Sequence, residues 1–560
     1  MALKNQWVGY LDRSYQQIKA SLLKRLGETV PEVTDHSESN ILVVIISMFS
    51  GITEQLGYYV DNMAREAFIS TARRFSSMVK LTKLIDYRIK AAIPASVDLN
   101  LRLPEPLVFV IPGATSFTIP SGTEFTSTNS IPFITTSDHI ITEGGLNILP
   151  LVQKTEVGNF FIGNTTGAID QEYKLPEGYV HNSLLLSVGG DIWERRDTLG
   201  RSNPLDNHYI VEMSEDKKAF IEFGDDINGR VPLGNQELRG DLYETKGSEG
   251  NINADTLNSY SFDFGQYIEG SSITVINELD AVGGTDYESI ERIRRSAPLS
   301  LRTLDRAVTT QDFRDVAKLA PGVDKVDLSY NCGEKARIYI APNGGGIAQS
   351  ILLADTHEFI KERRVLNLRH LVLAAGQSKI YIKITAKAKF RRDIISTKDD
   401  IIRALLTEYS YDNSDINRAV RASDIIALVD NLEKVEYLSL DKLYMIPFFR
   451  AIDHNVELNK TFETLEKSES INHWQIKYYG ATFKLFKDYA YVGDVNIGDN
   501  YVDPDNNFRI TLGQGNYVNG QEWEFTTYPY NNNIETDDFT IPVTTLANLD
   551  ITVNETLIVN

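Results

Sequence analysis

Residues 379–390 read KIYIKITAKAKF and alternate without a fault. Ile380, Ile382, Ile384, Ala386, Ala388 and Phe390 fall on one side, and Lys379, Tyr381, Lys383, Thr385, Lys387 and Lys389 on the other. A period of two with one apolar and one polar side predicts an amphipathic strand with one wet face. Helical runs stand around it at 351–366, 399–409 and 423–432. This part of the chain is therefore expected to be a small sheet covered by helices on one face.

Moving outward, the texture changes several times. In residues 38–90 the apolar positions Ile41, Ile45, Met48, Ile52, Leu56, Tyr59 and Met63 recur at spacings of three and four, which predicts a helix with one apolar stripe facing a partner helix or a core. A second helical stretch carrying Phe68, Met78, Val79, Leu84 and Ile85 is expected to stop before Pro94. From 97 to about 264, short β-branched and aromatic runs are punctuated by Gly, Pro and Asn, the mark of a β-rich segment. Helix returns at 283–330. Thr285 stands three residues before Glu288, the capping-box spacing, and Tyr287, Ile290 and Ile293 follow as one face up to Ala297-Pro298. Thr309 repeats the device with Asp312 and opens a helix that ends at Pro321-Gly322. The expected class is α+β multidomain: an N-terminal helical region (1–95), a β-rich centre (96–280), a helical linker (281–322), a small α/β sandwich domain (323–454) and an all-β C-terminal appendage (455–560). The appendage holds six Lys/Arg against sixteen Asp/Glu, a net −10. The alternative for this segment is a strand-donating tail that completes the chain's own sheet.

The 560 residues are 42% hydrophobic and 24% charged, which permits a large core without disulfides. One cysteine, Cys332, excludes an internal bridge and a Cys-based zinc cage. The formal charge of −21 disfavours a phosphate backbone, so nucleic acid is not an expected partner. Residues 1–10 lack the pattern of a signal peptide, and the longest apolar run, 41–49, is broken by Ser47 and shorter than the ~18 residues of a membrane span. Stable membrane insertion is not expected.

A search for chemistry is sparse. The eight histidines, at 36, 139, 181, 208, 357, 370, 454 and 473, show no zinc-hydrolase spacing, and Cys332 beside Gly333 has no His nearby in sequence. Gly344-Gly345-Gly346 could cradle a phosphate but lacks a Gly-Lys-Ser/Thr ending, so it reads as a strand-to-helix turn. The acidic loops 224–229 and 503–507 lack the full calcium-loop pattern and read as tight turns. Basic clusters at Arg292/Arg294/Arg295, Arg363/Arg364 and Arg391/Arg392 are read as solvated faces or helix ion pairs, with docking on an acidic neighbour as the alternative. No catalytic residue, cofactor or metal ligand is assigned.

Residues 281–288 (AVGGTDYE), with Arg294 and Ala297-Pro298 following and then 306–309 (RAVT) to Asp312-Phe313, resemble the baseplate J-like wedge proteins of contractile phage tails. Three more segments agree in order. Residues 68–72 through 84–87 resemble that family's N-terminal helices, and 119–123 to Phe133 its early β segment. Residues 223–226 to Gly229, then Pro232 and 247–251, resemble its central hairpin region. The resemblance covers roughly 35–455 and leaves out the acidic tail. It implies a structural subunit of the tail baseplate, assembled in the bacterial cytoplasm, not an enzyme. Its partners would be other wedge proteins and a second copy of itself, a homodimer in each wedge, in a sixfold ring around the hub that triggers sheath contraction. Gly283, Gly284, Glu288, Arg294, Pro298, Arg306, Thr309 and Asp312 become interface candidates. They are caps, turns and helix stops, residue types that fix angles between elements. Two other readings stand beside it: a receptor-binding or glycan-degrading tail component, suggested by the β content and Tyr-rich tail, and the equivalent subunit of a phage-derived injection or secretion device.

Overall fold

The computed structural model describes residues 14–554 apart from 31, 33–34, 36, 103–107, 111–113, 143–146, 170, 270–272, 331–334, 367, 390–392, 453–457, 459, 466–470, 481, 505–507, 516, 518, 529–533 and 535–538. The readings made on His36, Cys332, Phe390, Arg391, Arg392, His454 and most of the 503–507 loop lie outside the described residues. The fold is mixed α/β, and the chain forms two compact units. One comprises Met1–Ala91, Asn159–Asp241 and Tyr287–Arg302, the other Ala92–Gly158, Leu242–Asp286 and Thr303–Asn560.

The first unit holds helices α1 (Tyr15–Thr29), α2 (Ile41–Glu66), α3 (Phe75–Lys83) and α4 (Ile290–Thr303). Ser14 and Gln17 form a capping box at α1, and the Asn40 side chain caps α2 by accepting from Leu42 N at 2.9 Å. The second helical stretch does stop before Pro94, at Lys83 and thus short of Leu84 and Ile85, because Asp86 takes a left-handed backbone (φ 54°) and Tyr87 N bonds back to Thr82 O. Two readings at α4 are corrected. The Thr285–Glu288 capping box does not form: Thr285 exchanges backbone hydrogen bonds with Ile93, and Ser289 caps the helix instead, its Oγ accepting from Arg292 N at 3.3 Å. Nor does Pro298 end the helix, which continues through it to Thr303. The unit's sheet runs in the order Thr155–Asn164, Glu237–Glu244, Leu185–Val188, Asp191–Arg195, His208–Met213, Ala219–Phe223, Glu172–Lys174. Trp193 meets Phe223 edge-on inside it.

The second unit opens with a six-stranded sheet whose strand Ser96–Arg102 pairs with Ile148–Val152 and Thr274–Ile276 over a core of Leu99, Phe125, Phe133 and Leu149. Two α/β layers follow. Strands Val323–Ser329, Ala336–Pro342 and His370–Ala374 share a core with α5 (Thr310–Leu319) and α6 (Ser350–Lys361). The long strand Gly376–Ala388 alternates buried and half-open as its sequence requires, with Ile401 and Leu405 of α7 (Ile394–Glu408) and Ile425 and Val429 of α8 (Ala422–Asp430) against its apolar side. A five-stranded sheet (Arg450–Ile452, Glu522–Thr527, Asn472–Tyr479, Thr482–Lys487, Ala490–Asn496) and a three-stranded one (Lys460–Thr464, Phe508–Leu512, Asn500–Val502) then share an aromatic core of Trp474, Phe508, Trp523 and Phe525.

The end of the chain departs from the expectation of a separate appendage. Strands Thr540–Val543 and Leu549–Asn554 pair in parallel with Gly376–Ala388, at Gly376↔Thr540 and Ile382↔Leu549. Lys383 meets Asp550 at 2.7 Å. That strand's other edge takes Val435–Ile446, so an edge that would otherwise stand open is closed by the chain's own tail.

Candidate functional site

Among the described residues nothing covers the apolar stripe of α2. All seven residues that announce the stripe are exposed, from 44% at Ile45 to 75% at Ile41. The helix packs on α1, with Ile18 and Val43 buried, and Tyr15 N donates to the Glu54 carboxylate at 2.9 Å. Its buried positions are Val43, Ser50, Asp61 and Arg65. The helix is thus more polar on its inner side than on its outer one, the reverse of a soluble surface helix, and an exposed apolar surface of this length marks an interaction site. The spacing along the stripe is 4, 3, 4 repeated twice, from 41 to 52 and from 52 to 63. That is about 3.67 residues per turn, a period that keeps the stripe nearly straight along the helix with a slight right-handed drift. Among the described residues α2 is also the one helix long and apolar enough to cross a membrane. The apolar run at 41–49, already broken by Ser47, is short for a span, whereas the helix continues through small and hydroxylated residues such as Ser50, Gly51 and Thr53.

The base of this helix is held rigidly. The Arg294 guanidinium donates to Ile69 O at 3.2 Å and Ala72 O at 2.7 Å, in the turn after α2, and pairs with Glu291 at 2.6 Å. Glu66 accepts from the amides of Arg73 and Arg74, which starts α3. Burial works against the Glu66 carboxylate, yet hydrogen bonds from Ser77 and these two amides hold it below its ordinary value. The buried Glu288 carboxylate accepts from the Tyr87 hydroxyl at 2.6 Å and from Lys90 N at 3.2 Å, with Arg292 at 3.9 Å. Burial first, and then the Glu288 charge, push the Tyr87 phenol well above its ordinary value, so it stays a donor. Glu288 and Arg294 are brackets, and Pro298 lies inside the helix that carries them.

The remaining candidates lie in the second unit. Gly284 N and O both bond the Asn251 side chain at 2.9 Å, and a β-carbon at 284 would collide with the Gly247 carbonyl. Asp286 accepts from Ser248 N at 2.9 Å. Thr309 and Asp312 form the capping box read from their spacing, at 3.1 and 2.9 Å. Arg306 is exposed, in a turn where Leu304 and Asp305 both have left-handed backbones. Of the clustered arginines among the described residues, Arg363 pairs with Asp305 at 3.3 Å and Arg364 donates to Leu368 O.

Two other candidate ligand sites are closed by the chain itself. The glycine turn 344–346 does lead into α6, but the Asp98 carboxylate accepts from Ser350 N and Oγ at 3.1 and 2.6 Å, where a phosphate would bind. Asp225 and Asp226 turn onto the backbone amides of Ile227, Asn228 and Val231. Among the described residues no group of three or more His, Cys, Asp or Glu is placed to hold a metal ion. Sequence reasoning missed Tyr87 and Asp98. Each is a single residue whose partner lies about 200 or more positions away, and neither forms a local pattern.

Residues 14–84, which contain α1, α2 and α3, match the family model of the bacteriophage baseplate protein N-terminal domain. A cryo-electron-microscopy structure of the anti-feeding prophage baseplate, sixfold symmetrised, aligns with 76% of this chain and 86% of its own at 12% identity and a TM-score of 0.26. At that score the likeness is carried no further. No curated protein matches the chain.

Proposed function

We propose that this chain is a structural subunit of a contractile-tail baseplate, a wedge component that works by holding its neighbours and not by catalysis. The observation that carries the reading is the open stripe of α2, which lies inside the segment matching the baseplate N-terminal domain. In this reading two copies pair along α2 within each wedge, and other wedge proteins join the pairs into a sixfold ring around the hub. Rearrangement of that ring transmits the trigger for sheath contraction. The particle's tail baseplate is then where the protein resides, after assembly in the host cytoplasm. A straight stripe about 33 Å long at 1.5 Å per residue suits a second, equally straight helix. Burying each Ile, Leu or Met of the stripe is worth roughly 1.5–3 kcal/mol before the costs of association. Glu288 and Arg294 serve the same end indirectly, by fixing the angle at which α2 leaves the unit.

The test is the mass of the purified full chain in solution by sedimentation, with and without Met48→Lys plus Ile52→Lys. A concentration-dependent dimer that becomes a monomer in the double variant supports the reading. A wild-type monomer that instead floats with phosphatidylcholine–phosphatidylglycerol vesicles would make α2 a membrane anchor and overturn it.

A further inference from the structure

A cavity of about 170 Å³ lies between the aromatic-cored C-terminal sheets and the strand Ala336–Pro342, wholly within the second unit. One wall is Tyr339, stacked face to face on Phe539 at 4.0 Å. The Arg450 guanidinium lies 4.9 Å from the Tyr339 ring centre and pairs with Glu524 at 3.1 Å. At the rim, strands Thr482–Lys487 and Ala490–Asn496 are joined by two residues, Asp488 and Tyr489.

That hairpin is built against its own backbone preference. Both turn residues are left-handed, at φ 48° and 67°, in a two-residue turn that favours Asn-Gly. Asp488 is tied down, exchanging hydrogen bonds with the His473 backbone: Asp488 N donates to His473 O at 2.9 Å, and Asp488 Oδ1 accepts from His473 N at 3.3 Å. Tyr489 gains no such packing, for its side chain is 85% exposed beside the cavity. A bulky aromatic ring held at an unfavourable φ and left open to solvent points to a role for the ring itself.

The lining chemistry narrows the ligand. Two fixed positive groups, Arg337 and Arg450, balance two negative ones, Asp488 and Glu524, so the site favours a neutral guest. Guanidinium, carboxylate and the Gln475 amide are planar groups that can each span two neighbouring hydroxyls. The volume is below the roughly 300–1,000 Å³ of a drug-sized ligand site. A flat aromatic platform, planar hydrogen-bonding groups, no net charge and room for one ring together describe a pyranose. We propose that this cavity binds one ring of a neutral saccharide, stacked on Tyr489 and held through its hydroxyls by Glu524, Arg450 and Gln475.

The experiment is saturation-transfer NMR on the full chain. The probes are methyl glycosides of glucose, galactose, mannose and N-acetylglucosamine, with glucuronate and N-acetylneuraminate as charged comparators. At least one neutral glycoside should receive saturation. Tyr489→Gly and Glu524→Gln should each weaken its binding about tenfold. Glycine suits the left-handed backbone, so Tyr489→Gly should melt no lower than wild type. Tyr491→Ala, on the next strand and outside the cavity lining, should bind normally. Transfer to the charged sugars alone, to none of the panel, or undiminished binding by Tyr489→Gly overturns the proposal. None of these results bears on whether α2 pairs two copies.

Discussion

Helix α2 and the strand Gly376–Ala388 are the two most regular apolar patterns in the chain, and they meet opposite fates. The strand's Ile380, Ile382 and Ile384 are fully buried under α7 and α8, and both its edges are paired. The stripe on α2 is as continuous, yet stands open along its whole length. A period of two or of 3.6 says which side is apolar, but not whether its cover is in the same chain. For the strand, the cover arrives from residues 401–429 and 549–554; for α2 no described residue supplies it.

The sharpest way to break this contrast is to place a charge on each pattern. Ile382→Lys buries an unpaired ammonium, a cost on the order of 4–5 kcal/mol or more, and should leave residues 303–560 protease-sensitive or insoluble. Deleting 540–560 should do comparable damage, since it strips one edge of the same strand and breaks the Lys383–Asp550 pair. A truncated chain that melts like wild type would show that the tail strands are dispensable and that the acidic C-terminal segment folds apart from this sheet.

Next in size is Glu288→Ala in the bracket under α2. It removes the acceptor of the buried Tyr87 hydroxyl and of Lys90 N, and leaves Arg292 without its nearby carboxylate. The expected loss is about 3 kcal/mol, measured as a lower urea midpoint. Tyr87→Phe should cost about 1–2 kcal/mol, because Glu288 keeps its other contacts. No loss in either variant would mean that the bracket does not hold the helix base.

What could be read from the sequence divides along the same line. Local devices were legible where they are self-contained: the Thr309–Asp312 box forms between residues three apart, and the alternation at 379–388 is repeated in its burial. The Thr285–Glu288 spacing is identical in kind yet yields no cap, because Thr285 is already paired with Ile93, a partner that its neighbours do not announce. Pro298 misled for the reverse reason. A proline removes one hydrogen bond, and packing of the surrounding helix outweighs that loss. The cavity beside Tyr489 was invisible, since its walls come from residues 337 and 339, 448 and 450, 473–475, 488–489, 524–526 and 539–540.

Thr309→Ala sharpens the contrast at a smaller scale. The substitution removes one half of a cap on an exposed helix end, worth about 0.5–2 kcal/mol. The monomer should remain folded with a slightly lower melting temperature, while tail assembly falls if the α5 angle is read by a neighbour. Normal particle yield would remove this segment from the interface.

The smallest expected effect on stability is also the most informative. Met48→Lys plus Ile52→Lys changes two residues that are 66% and 52% exposed. Surface substitutions of this kind shift stability by no more than about 0.5 kcal/mol each, and lysine is at least as good a helix former as isoleucine. The stems of the new lysines can lie along the helix with their charges in water. At concentrations where the wild type is monomeric, the double variant should therefore melt within a degree or two of it. Where wild type self-associates, the same variant should fall behind, because only wild type gains stability from binding its partner. A variant that is destabilised by several kcal/mol even at high dilution would show that another part of this chain covers α2 in solution. The helix and the long strand would then be alike, each completed from within.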